Sequence, residues 1–292
     1  MIIKLSAITD IGKARANNED TFAICPSLLN SNWEQEETAS YIPIEDTGSI
    51  MIVADGMGGP EAGEVASHIA IESIKKSFTP DWIAQYTDVD KKKSFLQKAV
   101  ERANNAIEKT VEDNFEAVGM GTTLVLCWIF SDMAYIAWCG DSRCYVYNPI
   151  KGLTLLTKDH SYVQELVDCG DISENEAFMH PEGNIITRGL GDLDIPANPD
   201  IITCSVSPND MFLLCSDGLS GLCRDRDIES VLDQYYTDIT QCKKKLLKLA
   251  LDAGGDDNIC IALASVIADN KECPDVMTCK AKIRRFFRRF IS

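Results

Sequence analysis

Histidine is scarce in this chain: His68, His160 and His180 are the three in 292 residues. None stands at zinc-type spacing from a cysteine, which argues against a zinc hydrolase. Cys-x-x-Cys pairs are absent despite 12 cysteines. Cys127, Cys139, Cys215 and Cys260 lie inside apolar runs, where a thiol behaves as a small hydrophobe, so a disulfide framework is not expected. No apolar run approaches the ~20 residues of a membrane-spanning helix. The N-terminal MIIKLSAITDIG lacks the basic and apolar regions of a secretory signal. Positive charge is also short: 28 basic residues face 45 acidic ones, a net charge of -17. That balance excludes a general nucleic-acid-binding face. These absences describe a reduced, cytoplasmic protein. Its 45% apolar content is enough for a sizeable core at this length.

What is present begins with apolar runs that end in acidic turns. Ile50–Ala54 leads into Asp55-Gly56, Tyr135–Cys139 into Gly140-Asp141, and Met211–Ser216 into Asp217-Gly218. Gly255-Asp256-Asp257-Asn258 immediately precedes Ile259–Val266. A short apolar run bounded by turn residues reads as a buried strand. Carboxylates gathered at one end of a sheet repel one another unless something neutralises them, and a hard divalent cation is the simplest candidate.

Strands are expected at Ile2–Thr9, Thr21–Cys25, Thr122–Phe130, Met133–Cys139, Arg143–Tyr147, Leu153–Thr157, Ile201–Val206 and Met211–Cys215. Pro26–Ser49 is polar and acidic and reads as an irregular connection. The helix after Asp55 carries an apolar stripe of Val65, Ile69, Ile74 and Phe78. Ser94–Asn114 buries Leu96, Val100, Ala103, Ile107 and Val111. Arg226–Tyr235 and Thr240–Ala253 are helices, the second with Leu246, Leu249, Ala250 and Ala253 inward. Asp159–Leu190 has little periodicity beyond Val163–Val167 and reads as a mobile helical flap. Paired helices between strand runs favour antiparallel sheets over a doubly wound parallel sheet.

Any single Asp-Gly is a common turn signal; the information lies in the ordered set. The chain presents Arg15-Ala-Asn-Asn-Glu19-Asp20, Asp55-Gly-Met-Gly-Gly59, Gly121-Thr-Thr-Leu-Val125, Cys139-Gly-Asp141-Ser-Arg143, Thr157-Lys-Asp159-His160, Ser216-Asp217-Gly218 and Gly255-Asp-Asp257-Asn258. This set resembles the metal-dependent protein serine/threonine phosphatases of type 2C, bacterial branch, from about Thr9 to about Val266. The resemblance implies an α+β fold: a four-layer α-β-β-α sandwich of two antiparallel β-sheets flanked by helix pairs. The catalytic domain would span residues 1–267, with the flap at about 160–190.

The resemblance also implies site roles. Asp55 would bridge two Mn²⁺ or Mg²⁺ ions about 3.5–4 Å apart, in keeping with an all-oxygen ligand set. Asp217 and Asp257 would complete the first ion's protein ligands, and the Gly56 carbonyl would serve the second. Glu19 and Asp20 would hold metal-bound waters. Asp141 would join Asp217 at a third ion, or else be a turn carboxylate capping Arg143 or the backbone. Arg15 would grip the phosphate bidentately. A hydroxide bridging the two ions would attack phosphorus. Many relatives carry a His directly after the Asp-Gly pair; here it is Met57, which leaves the proton donor to the leaving group unassigned. His160 is expected to brace the flap. Ser220 and Cys139 have no base nearby in sequence, so covalent catalysis is disfavoured.

The implied partners are phosphorylated proteins and a cognate serine/threonine kinase. Two rivals stay open: a phosphoprotein-binding regulatory module and a small-molecule phosphohydrolase. Residues 268–292 form a separate basic tail. Within it, Lys280–Ser292 carries six basic residues. Ile283, Phe286, Phe287, Phe290 and Ile291 would share one helical face. Such a helix suits an anionic membrane or a partner groove, or else packs on its own acidic domain.

Overall fold

The computed structural model describes residues 1–269 apart from 35–36, 39, 45–46, 59–61, 114–117 and 192–194. The basic tail beyond 269 therefore lies outside the described residues. In chain order the elements are β1 (Ile2–Asp10), β2 (Asp20–Cys25), β3 (Ile42–Pro43), β4 (Ser49–Met57), α1 (Ala62–Ser77), α2 (Pro80–Ile83), α3 (Val89–Asp113), β5 (Gly121–Thr122), β6 (Leu124–Phe130), β7 (Met133–Cys139), β8 (Arg143–Asn148) and β9 (Gly152–Leu155). There follow α4 (Tyr162–Cys169), α5 (Glu174–Ala177), β10 (Leu190–Gly191), β11 (Asp200–Ser205), β12 (Met211–Cys215), α6 (Asp217–Ser220), α7 (Asp225–Tyr235), α8 (Ile239–Asp252) and β13 (Ile259–Ile267).

The strands form two sheets. One is six-stranded in the order β3-β1-β13-β12-β8-β9; the other is seven-stranded, β10-β5-β4-β6-β7-β11, with β2 paired to β4. Every pairing is antiparallel. Between the sheets pack Leu5, Met51, Val53, Val125, Ile136, Phe212, Leu214 and Ala262. Ile50, Ile52 and Ala54, on the other face of β4, meet α1 and α3. Ile259, Ile261 and Leu263, on the other face of β13, meet α7 and α8. The result is the four-layer α-β-β-α sandwich. Strands buried on both faces lose polar alternation, which is why IMIVA and ICIALASV read as continuous apolar runs.

Several local expectations change. In α1 the buried face is Gly63, Ala66, Ser67, Ala70, Ile71 and Ile74, while Val65 is exposed. Ile74 and Phe78 of the expected stripe are buried and Ile69 packs against the same core, while the small residues of the first turns bring the helix close to β4. Ala253 is exposed at the end of α8. The expected strand Thr122–Phe130 breaks at Thr123, whose N–H donates to the Asp55 carbonyl (2.8 Å). The 26–49 connection is more than irregular. It contributes β3 and bridges at Glu34 and Glu37, and Glu37 meets Lys4 at 2.7 Å and the Thr240 hydroxyl at 2.6 Å.

Candidate active site

Asp55 lies within β4 rather than beyond its end, and the ladder sets it directly opposite Asp20, the first residue of β2. Like charges directly across a strand pair are destabilising; Asp20 is buried and Asp55 half-buried. The charges of Asp20, Asp217, Asp141 and Asp257 all bear on the Asp55 carboxyl. Carboxylates gathered this way repel one another unless one holds a proton or a cation lies among them. Burial, then the charges of Asp20, Asp217, Asp141 and Asp257, hold Asp55 well above the usual carboxylate range. Asp55 is thus the electrostatic centre of the group. Burial, then Asp257, pushes Asp217 up to about 6. Asp20 is pushed up to about 8, again by burial first. Asp141 is raised by burial and by Asp217, and Glu19 mainly by burial.

The site is built where the ends of both sheets meet. Asp217 opens α6 at the end of β12, and Asp257 precedes β13, the neighbouring strand. Ser216 joins the sheets: its hydroxyl donates to Asp20 Oδ2 (2.6 Å) and accepts from the Cys260 N–H (2.9 Å). Asn258 accepts from the Glu19 N–H (2.8 Å) and donates to the carbonyls of Ile11 (3.0 Å) and Asn17 (2.9 Å), fixing the loop before β2. The Asp55 carbonyl accepts from the Thr122 hydroxyl (2.8 Å), while Thr123 Oγ1 accepts from the Asp55 N–H (3.2 Å) and meets the Ser142 hydroxyl (2.8 Å). Ser216, Asn258, Thr122, Thr123 and Ser142 had no role assigned from sequence. Their only signal was membership of the same short motifs. The two Asp-Gly glycines answer to packing: a Cβ on Gly56 would strike the Gly63 carbonyl, and one on Gly218 the Asn258 carbonyl.

Arg15 occupies an unexpected place. Its Nη2 pairs with Asp257 Oδ2 at 2.6 Å, so the guanidinium neutralises one of the expected metal ligands. A shallow cavity of about 200 Å³ lies beside it, lined by Arg15, Ala16, Asn17, Glu19 and Asn258. Arg143 is not capped by Asp141; it forms a forked pair with Asp159, Nε–Oδ1 2.9 Å and Nη2–Oδ2 2.7 Å. That leaves Asp141 buried near Asp217. His160 is buried and stacks on Trp138. Its Nδ1 accepts from the Gly140 N–H (3.2 Å), which places the proton on Nε2, 3.2 Å from Asp200 Oδ2. Both ring nitrogens are committed to bracing the flap root against the Gly140-Asp141 turn.

The donor set fits a pair of hard dications: carboxylates and a backbone carbonyl, without thiolate or imidazole. Asp20 Oδ1 is buried and meets no hydrogen-bond donor, the signature of a group awaiting a cation or its water. Among the described residues, no three acidic, His or Cys side chains already close on one ligand point.

Carboxylates massed between two sheet ends define a metal-dependent hydrolytic centre. The family model for protein phosphatase 2C matches residues 35–252. The chain is 33% identical over 256 residues to the serine/threonine phosphatase stp of Listeria monocytogenes, covering 87% of this chain and 92% of that protein. Its structure resembles the crystal structure of the Mycobacterium tuberculosis serine/threonine phosphatase PstP, with a TM-score of 0.75, 31% identity, and coverage of 92% of this chain and 100% of that one. It also matches the PstP catalytic domain solved in complex with two manganese ions, with a TM-score of 0.72, 31% identity, and coverage of 91% and 99%. The chain belongs to the protein phosphatase 2C family, and it is a metal-dependent serine/threonine phosphatase.

Proposed function

We propose that residues 1–267, with the flap at 160–190, form the catalytic unit and that Asp55, Asp217 and Asp257 hold one dication while Asp55 and the Gly56 carbonyl hold a second. The observation that carries this reading is Asp55, half-buried opposite Asp20 in the ladder and under the charges of Asp20, Asp217, Asp141 and Asp257. Glu19 and Asp20 orient solvent at the ions. Asp141 and Asp217 form a third, weaker site. Manganese and magnesium both suit these ligands. When bound, the ions supply the charge that turns a water into a nucleophile near neutral pH. Arg15, freed from Asp257 when that carboxylate serves as a ligand, would fork onto the phosphate of a phosphoserine or phosphothreonine. His160 is not the proton donor, because its two nitrogens are engaged. The decisive experiment is a metal titration with phosphoserine, phosphothreonine and phosphotyrosine peptides. Turnover of the first two with Mn²⁺, lost in Asp55→Asn, supports the assignment; unchanged turnover in that variant refutes it.

The reaction reverses protein phosphorylation, so its partner in the cytoplasm is a serine/threonine kinase, and the pair forms a signalling circuit. Among the described residues, no helix is long and apolar enough to cross a membrane. Residues 268–292 supply peripheral attachment through the basic, apolar sequence of 280–292. Co-sedimentation with anionic liposomes, intact against tail-deleted, tests this; equal partitioning rejects it.

A further inference from the structure

The flap is anchored at two ends. At its root His160 accepts and donates across Gly140, with His160 N–H to the Gly140 carbonyl at 3.0 Å, and Arg188 Nη1 donates to Asp200 Oδ1 at 3.0 Å. Between these, α4 and α5 bury little: Val163 is the buried residue of α4, and α5 has none. Apolar burial therefore does not hold the outer part in place. Lys158 Nζ pairs with Asp168 Oδ2 of α4 at 2.6 Å, and Arg224 reaches α5 from the body. Arg224 Nη1 donates to Asn175 Oδ1 at 2.7 Å, and its guanidinium carbon lies 3.9 Å from the Phe178 ring centroid. Asn175 and Phe178 are three residues apart, so one face of the short helix presents both. A reciprocal capping box, with Ser173 N–H to Glu176 Oε2 at 2.8 Å and Glu176 N–H to Ser173 Oγ at 3.3 Å, sets that helix.

Arg224 is itself rigidly tied to the metal end of the fold. From Asp217 the chain turns through Gly221 N–H to the Asp217 carbonyl (2.6 Å) and Cys223 N–H to the Leu219 carbonyl (2.9 Å), with Leu219 and Cys223 buried. The flap thus runs from the backbone beside Asp141 to the segment that leads out of Asp217. We infer that Arg224 is a positioning residue that latches the flap through Phe178 and Asn175 and so sets how a phosphoprotein segment reaches the site. A small aryl phosphate needs no such surface. The inference rests on the phosphatase reading.

The test uses full-length, Mn²⁺-loaded protein as wild type, Arg224→Ala, Phe178→Ala and the double variant. The kcat/KM for a phosphothreonine peptide is expected to fall about fivefold in each single variant, the scale of a stacked cation–π contact. The double variant falls no further, because both residues serve one latch. Turnover of p-nitrophenyl phosphate changes less than about twofold on the same scale. Deuterium uptake rises across 170–181 and stays constant in β12 and β13. Equal losses on both substrates, additive losses in the double variant, or unchanged uptake would each overturn the latch. If Arg224→Ala does not fold, Phe178→Ala reads the same contact from the flap side. A wild-type protein inactive on the peptide would instead strike the phosphatase reading, and the uptake comparison would still decide the latch.

Discussion

Raising the pH from 5.5 to 8 destabilises the metal-stripped protein, and Asp20 contributes beside Asp55 and Asp141, whose carboxyls burial also raises. The Asp20 carboxyl is pushed up to about 8 from an ordinary 3.8 by burial, with Asp217 and Asp257 adding to the effect. A folded-state pKa above the unfolded value means that the folded protein holds the extra proton. Stability from that proton is full below the unfolded pKa and is lost as pH rises toward the folded one. Across 5.5 to 8 the unfolded carboxyl is already ionised, so each pH unit costs about 1.4 kcal/mol and the window about 3 kcal/mol. Asp217, at about 6, adds a smaller loss in the lower part of the window. For a domain of this size each kcal/mol moves the midpoint by roughly 2–4 °C, so Tm falls by about 6–12 °C. The assay is thermal unfolding in EDTA at several pH values, repeated in saturating Mn²⁺ and with Asp20→Asn. Bound cations favour the ionised carboxylates, so the Mn²⁺ curve is flat or rises. The Asn variant keeps an oxygen to accept from Ser216 and loses the part of the slope that Asp20 supplies. A flat wild-type curve in EDTA, or the same slope in Asp20→Asn, would refute this account of the cluster.

Other outcomes follow from the same geometry. Asp217→Asn lowers Mn²⁺-dependent phosphothreonine turnover at least about a hundredfold, since even indirect partners of a metal ligand cost 10- to 100-fold; steady-state kinetics with metal titration reads this. Ser216→Ala strips the Cys260 N–H of its acceptor in a fully buried position, and urea unfolding should show a loss of about 1–3 kcal/mol. Gly218→Ala drives a Cβ into the Asn258 carbonyl and costs about 1–3 kcal/mol or more by overpacking, with weaker Mn²⁺ binding by calorimetry. Arg15→Ala removes the internal partner of Asp257, so Mn²⁺ binding by calorimetry tightens while KM for the phosphopeptide rises about tenfold through loss of a forked phosphate contact.

Much of this was legible before any coordinates. Strand runs such as Met133–Cys139 and Met211–Cys215 match their observed bounds, because a doubly buried strand announces itself by apolar composition alone. The stripe of α3 was also legible, since a well-packed helix repeats its apolar face. The α1 stripe is legible at Ile69, Ile74 and Phe78, but Val65 is exposed, because close packing in the first turns selects small residues, which carry little hydropathy signal. The acidic 26–49 segment looked irregular because its order comes from Lys4, Thr240 and the edge of β1, all distant in sequence.

The ordered acidic motifs by themselves determined the family and its metal-dependent chemistry, and marked the candidate carboxylates, because turn residues and ligand types are local choices written in the chain. Only the tertiary structure decided how those groups meet. It set Asp20 across the ladder from Asp55, Ser216 between the sheets 196 residues from Asp20, Arg15 on Asp257 242 residues away, and Asn258 on Glu19 239 residues away. It also moved Arg143 from Asp141 to Asp159 and brought Arg224 to the flap. No short-range pattern encodes such pairings. They arise because two sheets, each with its own register, close face to face and bring strand ends from opposite halves of the chain into one buried, like-charged corner.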